Sequence, residues 1–488
     1  MNVNPITRLD YPDPDVIRVE DTYYMVSTTM HFMPGCEILQ SFDLVHWEHV
    51  TYVYETLDHT DAQQLKSGQN IYGQGMWAAS LRYHEGRFYI CFVANDTRKT
   101  YLYTSEKIDG PWKKQLIEGF YHDGSLLFDE DGRNYIVYGN DEIWITELNE
   151  DLTAPKKDGL HRLLVSDHKN PELGYEGSHI QKINGYYYIF LVHSLRDRWM
   201  RTEACFYSDS LEGEFTGGDV LCDDRGYCGQ GVAQGGIVDT PDGKWYAMLF
   251  QDSGAVGRIP ILLPVTWKDH FPFFGQNGHV PEEIEVHSTR PGYIYQPLVG
   301  SDDFCNGLLP RWQFNHDPDP RYYHLDALQG TYTITTREVC TELTQAVNTL
   351  TQRMSYPSCA AEVTVDASAL KEGDVAGLCA LQSCYAAVGI TKHHGKYEVL
   401  MLDKKEDGIL DMTEGTVVES HQMDFRLEAD FCNMKDEARC YYRVNKGDWL
   451  PIGTVHRLYF KLDHFTGCRF GPVSYTHLRA HETKANLV

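Results

Sequence analysis

The chain has 488 residues, a formal net charge of −27 and 42% hydrophobic residues, enough for more than one globular domain. So acidic a surface repels nucleic acid and anionic membranes but tolerates a neutral ligand, and no apolar run reaches transmembrane length. The 32 Tyr, 20 Phe and 9 Trp favour β-structure and suit sugar binding, although ordinary β-core packing accounts for most of them.

The N-terminus, MNVNPITRLDYPDPDV, has neither a basic n-region nor an apolar h-region, so the chain reads as cytoplasmic unless a leader has been removed. Its thirteen cysteines form no CxxC pair. Cys36, Cys91 and Cys379 read as small core residues in a reducing compartment. From Asp13 onward one phrase recurs: a polar or carboxylate residue, a short apolar strand, a tight polar turn, then a strand with paired aromatics. The copies are DPDVIRVEDTYYMVS from Asp13, WAASLRYHEGRFYICFV from Trp77, DGSLLFDEDGRNYIVYG from Asp123, EGSHIQKINGYYYIFLV from Glu176 and QGGIVDTPDGKWYAMLF from Gln234. Each reads as a β-hairpin, because Glu85-Gly86, Asp131-Gly132, Asn184-Gly185 and Asp242-Gly243 are dipeptides that supply positive φ. The aromatic ends Tyr24, Tyr89, Tyr135, Tyr187 and Tyr246 are 65, 46, 52 and 59 residues apart, compatible with the roughly 40–50 residues of a four-stranded blade plus loop insertions. EILQSF, KTYLYTS and EIWITEL supply further strands between the copies. The expectation is an all-β chain whose residues 1–297 form a five-bladed β-propeller. A generic β array that packs its repeats differently is the weaker reading.

Asp13, Asp123 and Glu176 hold the same place in their copies, just before the first strand. Equivalent strand starts in a propeller converge on the central axis, so three carboxylates would face one pocket, with Trp77 and Gln234 completing the ring. Taken singly, an Asp before a strand is more often a turn residue. Gly124 and Gly177, however, follow two of these acids and allow close approach of a ligand. Three mutually repelling acids mark metal binding or acid–base work. Glycoside hydrolysis uses such a set: one carboxylic acid protonates the leaving oxygen, one carboxylate activates water, and a third raises the pKa of the acid.

At these residues the sequence resembles glycoside hydrolase family 43, over about residues 4–297. Tyr11-Pro12-Asp13-Pro14 matches the opening motif, HDGSLLF the middle one, and Glu176-Gly177-Ser178-His179 the third. The resemblance implies Asp13 as general base, Asp123 as pKa modulator and Glu176 as general acid. It further implies substrate contacts from Phe32 in HFMPGCEILQSFDLVHWEHV, Trp77 in GQGMWAAS and Arg258 in AVGRIP, and Gln234 joins these candidates by its matched place in the repeat. Many members carry a metal-ligating His before the Gln-Gly-Gly of the fifth blade. This chain has Ala233 there, so no metal ligand is assigned and a structural calcium is disfavoured. The mechanism requires no cofactor. His393 and His394 read as a surface turn.

Residues 278–300, with Pro281, Pro291 and Pro297, read as a linker. Beyond Ser301 the alternation of Ala361, Val363 and Val365 with Glu362, Thr364 and Asp366, and of Leu458, Phe460 and Leu462 with Tyr459, Lys461 and Asp463, predicts an antiparallel sandwich over 301–471. SDDFCNGLLPRWQFNHDPDP and NTLTQR resemble the family's concanavalin-like, jelly-roll C-terminal domain. It is expected to wall the active-site rim or to be a purely structural partner. Residues 472–488 do not continue the pattern: VSYTHLRAHETKANLV resembles translated sequencing-adapter sequence and is expected to contribute no strand.

The sequence therefore points to an exo-acting, inverting glycosidase that removes terminal β-D-xylose, α-L-arabinofuranose or both from hemicellulose-derived oligosaccharides. Its partner is a carbohydrate, with a homo-oligomer left open. The alternatives are an endo-arabinanase-like hydrolase, a non-catalytic sugar-binding propeller, and an invertase-like enzyme or transferase on a related propeller.

Overall fold

A computed structural model describes residues 2–413 and 415–477. Five four-stranded antiparallel sheets follow one another over residues 15–54, 76–117, 125–166, 176–221 and 232–274. Their innermost strands, Asp15–Val19, Met76–His84, Ser125–Phe128, Glu176–Ile183 and Val232–Asp239, touch in cyclic order and close the ring between the fifth blade and the first. This is the five-bladed propeller, and each repeated phrase forms the first two strands of a blade. The turns Glu85-Gly86 and Asn184-Gly185 take φ values of 47 and 78°, and 51 and 86°, as tight hairpins with twisted strands require.

The blades are held by apolar sandwiches between neighbours. Val26, Ile38, Leu81 and Ile90 join the first two blades. Cys91 and Leu102 meet Leu126 and Ile136 between the second and third, and Val16 and Met25 meet Val238 and Met248 across the closing junction. Each fully buried side chain of this kind is worth about 1.5–3 kcal/mol, so alternate residues of every strand commit to these interfaces. The segment expected as a linker lies over the first blade: Glu48 accepts from the Gln296 amide at 2.9 Å, and Thr289 N–H donates to the Phe42 carbonyl at 2.7 Å.

The second domain is a sandwich. Its larger sheet runs, in spatial order, through 410–412, 396–404, 386–393, 374–381, 469–477, 350–353 and 313–315, and ends on the propeller segment Phe32–Met33. Its smaller sheet comprises 358–366, 422–430, 437–444 and 450–457. Along 358–366 burial alternates as the sequence predicts. The core between the sheets continues into the propeller through Ala255, Val256 and Ile259.

Two expectations are corrected. Arg469–His477 is a nine-residue strand in the larger sheet, paired with Asp374–Leu381, so the boundary expected at 471 falls inside it. It remains in register because the backbone pairs on through Pro472 whatever side chains it carries. Residues 478–488 lie outside the described residues. The strand expected around 458–463 is instead a loop. The preceding strand ends at Arg457, and the chain leaves the sheet because its polar groups find partners on the propeller, as the site shows.

Candidate active site

The five matched addresses meet at one end of the propeller, but the backbone delivers them in two ways. Asp13 and Asp123 lie two residues before their strands, with φ of 52 and 48°. The left-handed region costs a non-glycine residue on the order of 1–2 kcal/mol, and here it turns a side chain that would follow the strand toward the axis. Trp77, Glu176 and Gln234 lie inside strands whose registers shift between Met76 and Ala79, Glu176 and His179, and Ala233 and Gly236. These are β-bulges, which re-aim a side chain without ending the strand. Gly177 has φ of 67°, and a Cβ there would stand 2.8 Å from the Gln234 side chain, so the acid's neighbour must be glycine.

Asp13 is 6% exposed and firmly held. Arg258 Nη1 donates to its Oδ1 at 3.0 Å and Thr28 Oγ1 to its Oδ2 at 2.6 Å. Asp123 accepts from the Gly177 amide at 3.1 Å, which ties the third blade to the backbone beside Glu176. Asn140 Nδ2 donates to Glu176 Oε2 at 2.7 Å. Between the two acids stands His122, its Nε2 3.6 Å from Asp123 and 3.7 Å from Glu176. The Asp123 charge, acting against burial and joined by Glu176, pushes this imidazole up to about 9. Burial, opposed by His122 but reinforced by Glu176 and Asp13, pushes the Asp123 carboxyl up to about 6. Asp123 is thus raised by burial and by its two carboxylate neighbours, the direction in which desolvation and like charge both push a carboxyl.

Trp77 reaches the same space, with its ring 5.7 Å from His122 and 5.9 Å from Phe465. Gln234 is 4% exposed, and its amide donates to Glu203 at 2.7 Å. Burial drives the Glu203 carboxyl well above the usual carboxylate range, and it braces the ring from behind by accepting the Gln234 backbone N–H. Arg258 grips the sandwich as well: Nη2 donates to the Phe465 carbonyl at 3.3 Å, and the guanidinium lies 4.0 Å over the Phe465 ring. The misread strand is therefore the loop that brings an aromatic wall to the pocket. Asp10 pins it, accepting from the Gly467 amide at 2.7 Å and the Arg258 amide at 2.8 Å.

Phe32 is not brought to the carboxylates. It is 2% exposed in the seam between the domains, with the Arg469 guanidinium 3.4 Å over its ring. Pairing of Phe32 and Met33 with Asn315 and Phe314 turns the segment into the sandwich sheet. Sequence reading missed His122, Asn140, Thr28 and Phe465. His122 was the one of these with a visible signal, since it directly precedes a matched acid.

Below the acids the axis is spanned by protein. Arg82 Nη1 donates to Asp15 Oδ2 at 2.8 Å, and His179 Nδ1 lies 3.1 Å from Asp15 Oδ1. A guanidinium there, and a buried Ala233 without a ligand atom in the fifth blade, do not fit an axial calcium. One ligand atom each from His122, Asp123 and Glu176 lies within 4.8 Å of the others. Both carboxylates already accept neutral donors and the imidazole carries charge, so the trio fits proton sharing better than an ion cage. The rings of His393 and His394 lie 4.0 Å apart and tilted by 44° beside the turn at Gly395, away from the pocket.

Comparison with known proteins agrees with this geometry. Residues 3–272 match the family model for glycosyl hydrolases family 43, and residues 301–487 match that for the beta xylosidase C-terminal concanavalin A-like domain. A beta-xylosidase of Formosa agariphila is 27% identical over 82% of this chain and 76% of its own. A non-reducing end alpha-L-arabinofuranosidase of Bacteroides ovatus is 24% identical over 84% of this chain and 79% of its own. Among solved structures, a bifunctional GH43-CE protein of Bacteroides eggerthii is 40% identical, with a TM-score of 0.91 over 98% of this chain. This chain spans 62% of that protein.

Proposed function

Because the chain belongs to glycosyl hydrolases family 43 and is thus a glycoside hydrolase, we propose that it removes single pentose residues, β-D-xylose or α-L-arabinofuranose, from the non-reducing ends of hemicellulose-derived oligosaccharides, with inversion. The observation that carries the exo reading is Phe465: the sandwich loop stands against Arg258 and Trp77 and turns an open groove into a pocket for a chain end. An endo-acting arabinanase would need that side open.

In the proposed mechanism a water held by Asp13 attacks the anomeric carbon and gives its proton to that carboxylate. Glu176 donates its proton to the glycosidic oxygen as the bond to the leaving sugar breaks. Water's oxygen ends on the pentose and both protons are accounted for. Arg258 and Thr28 fix the two oxygens of Asp13. His122 stands 3.7 Å from the acid, and Asp123 holds the backbone beside it. Trp77, Gln234 and Arg258 contact the sugar. Hydrolysis runs on side chains and water, without a cofactor.

A panel of nitrophenyl glycosides tests the reading. It predicts turnover of the β-xyloside, the α-arabinofuranoside or both, and release of free pentose one residue at a time from oligosaccharides. Inertness toward both would sink it, and mid-chain cleavage would favour the endo alternative.

A further inference from the structure

One part of the rim has no role in this account. The loop 195–200, LRDRWM, joins the second and third strands of the fourth blade, Tyr186–Ser194 and Arg201–Ser208. It opens at the pocket end, because Glu176 pairs with Val192, and Val192 with Glu203, two residues below the loop. Near its end Trp199 is 44% exposed, its indole open to solvent. Under it lies Arg201, with its guanidinium 5.2 Å from the Trp199 ring and 5.3 Å from the Phe250 ring. Arg258 lies 5.4 Å from the same Phe250 and holds Asp13, so an unbroken row leads from Trp199 to the general base.

Arg201 is underused. Its side chain is 7% exposed, and only Nε has a partner, Asp252 at 2.9 Å. Its two Nη groups donate to nothing among the described residues. With no protein acceptor and not shut away from solvent, these N–H groups are free to meet a ligand, and they sit where the charges of Glu176 and Asp13 are felt. A paired guanidinium that is neutralised by Asp252 and still has free Nη groups suits adjacent hydroxyls better than an anion.

We propose that Trp199 and Arg201 form the subsite for the first sugar residue of the leaving chain: its apolar face stacks on the indole, and two of its hydroxyls accept from Arg201. The placement follows from Glu176, which must face the glycosidic oxygen and lies on the same blade as the loop. The proposal rests on the exo-glycosidase reading. It makes the enzyme one for oligosaccharide leaving groups rather than for any glycoside of the right pentose.

The test compares two constants in Trp199→Ala. One is kcat/KM on an unlabelled pentose oligosaccharide. The other is the inhibition constant of the free monosaccharide, D-xylose or L-arabinose, which occupies only the pocket. Loss of the stacking face predicts that kcat/KM falls about tenfold while the inhibition constant stays put. Arg201→Lys, which keeps the charge beside Asp252 but not the fork, is expected to fall in the same direction, with thermal melting as the check on folding. An unchanged kcat/KM in Trp199→Ala overturns the proposal. So does a parallel change in both constants, which would place Trp199 in the pentose pocket. A wild-type enzyme that releases no pentose from any oligosaccharide overturns the reading beneath it instead.

Discussion

Two buried carboxylates show how differently this molecule treats charge. Glu37, 2% exposed in the seam between the domains, meets Arg353 at 2.9 Å and His49 at 3.1 Å. Burial alone would raise it, yet the Arg353 guanidinium and His49 hold it at about 2. Asp123, 6% exposed in the catalytic mouth, is pushed up to about 6 with Glu176 and Asp13 as neighbours. Burial is comparable, so the partners decide the sign. The seam matches its charges and serves stability. The mouth leaves like charges opposed, and Asp123 is raised rather than lowered. The two are joined mechanically, because Arg353 also donates to the Asp10 carbonyl at 2.9 Å and stacks 4.0 Å over Tyr11. The sandwich thus braces the segment that carries Asp13.

The largest way to break the contrast is to remove the acid. Glu176→Ala should lower hydrolysis of natural oligosaccharides by about 10²–10⁴-fold while sparing much of the rate on aryl glycosides with good leaving groups. Steady-state kinetics on both substrates checks this, and equal losses would reassign Glu176. On the seam side, Arg353→Met strands a buried carboxylate and should cost about 3–5 kcal/mol, read by denaturant unfolding. A cost under 1 kcal/mol would mean that Glu37 finds water.

Asp123→Asn sharpens the contrast from the other direction. A carboxyl raised from 3.8 to about 6 stabilises the fold only at low pH, and that stability is lost as pH rises through 6. Removing it should abolish activity yet raise stability at pH 8 by on the order of 3 kcal/mol, seen as a higher Tm. Glu37 has the opposite sign: its contribution is present above 4.5 and is lost only as pH falls toward 2. The smallest effect expected is that of His122→Gln. Without the imidazolium, which lowers the Asp123 carboxyl, Asp123 keeps its proton to higher pH, so the kcat/KM profile should move alkaline. A profile that stays in place would remove His122 from the proton balance.

The propeller and its three acids were legible in the sequence because a repeated hairpin gives equivalent residues equivalent addresses. That reasoning placed Trp77 and Gln234 as well, although bulges rather than strand ends deliver them. The seam was far less legible. Phe32 reads like a pocket wall until Phe32–Met33 pairs with Phe314 and Asn315, some 280 residues on. Leu458 to Asp463 alternate like a strand, but Asp10 and Arg258 offer the following loop better partners than a sheet edge does. No local pattern encodes such pairings. His122 showed only its place before Asp123; its approach to Glu176, on another blade, had no local signal.

The anomer released first reports whether Asp13 activates water or attacks the sugar itself. Proton NMR during the first turnovers of a β-xyloside should show α-xylose appearing before mutarotation, as a water activated by Asp13 requires. For an α-arabinofuranoside, the β-anomer should appear first. Initial release of the retained anomer would contradict the account, because Asp13 would then have to be a nucleophile rather than a base.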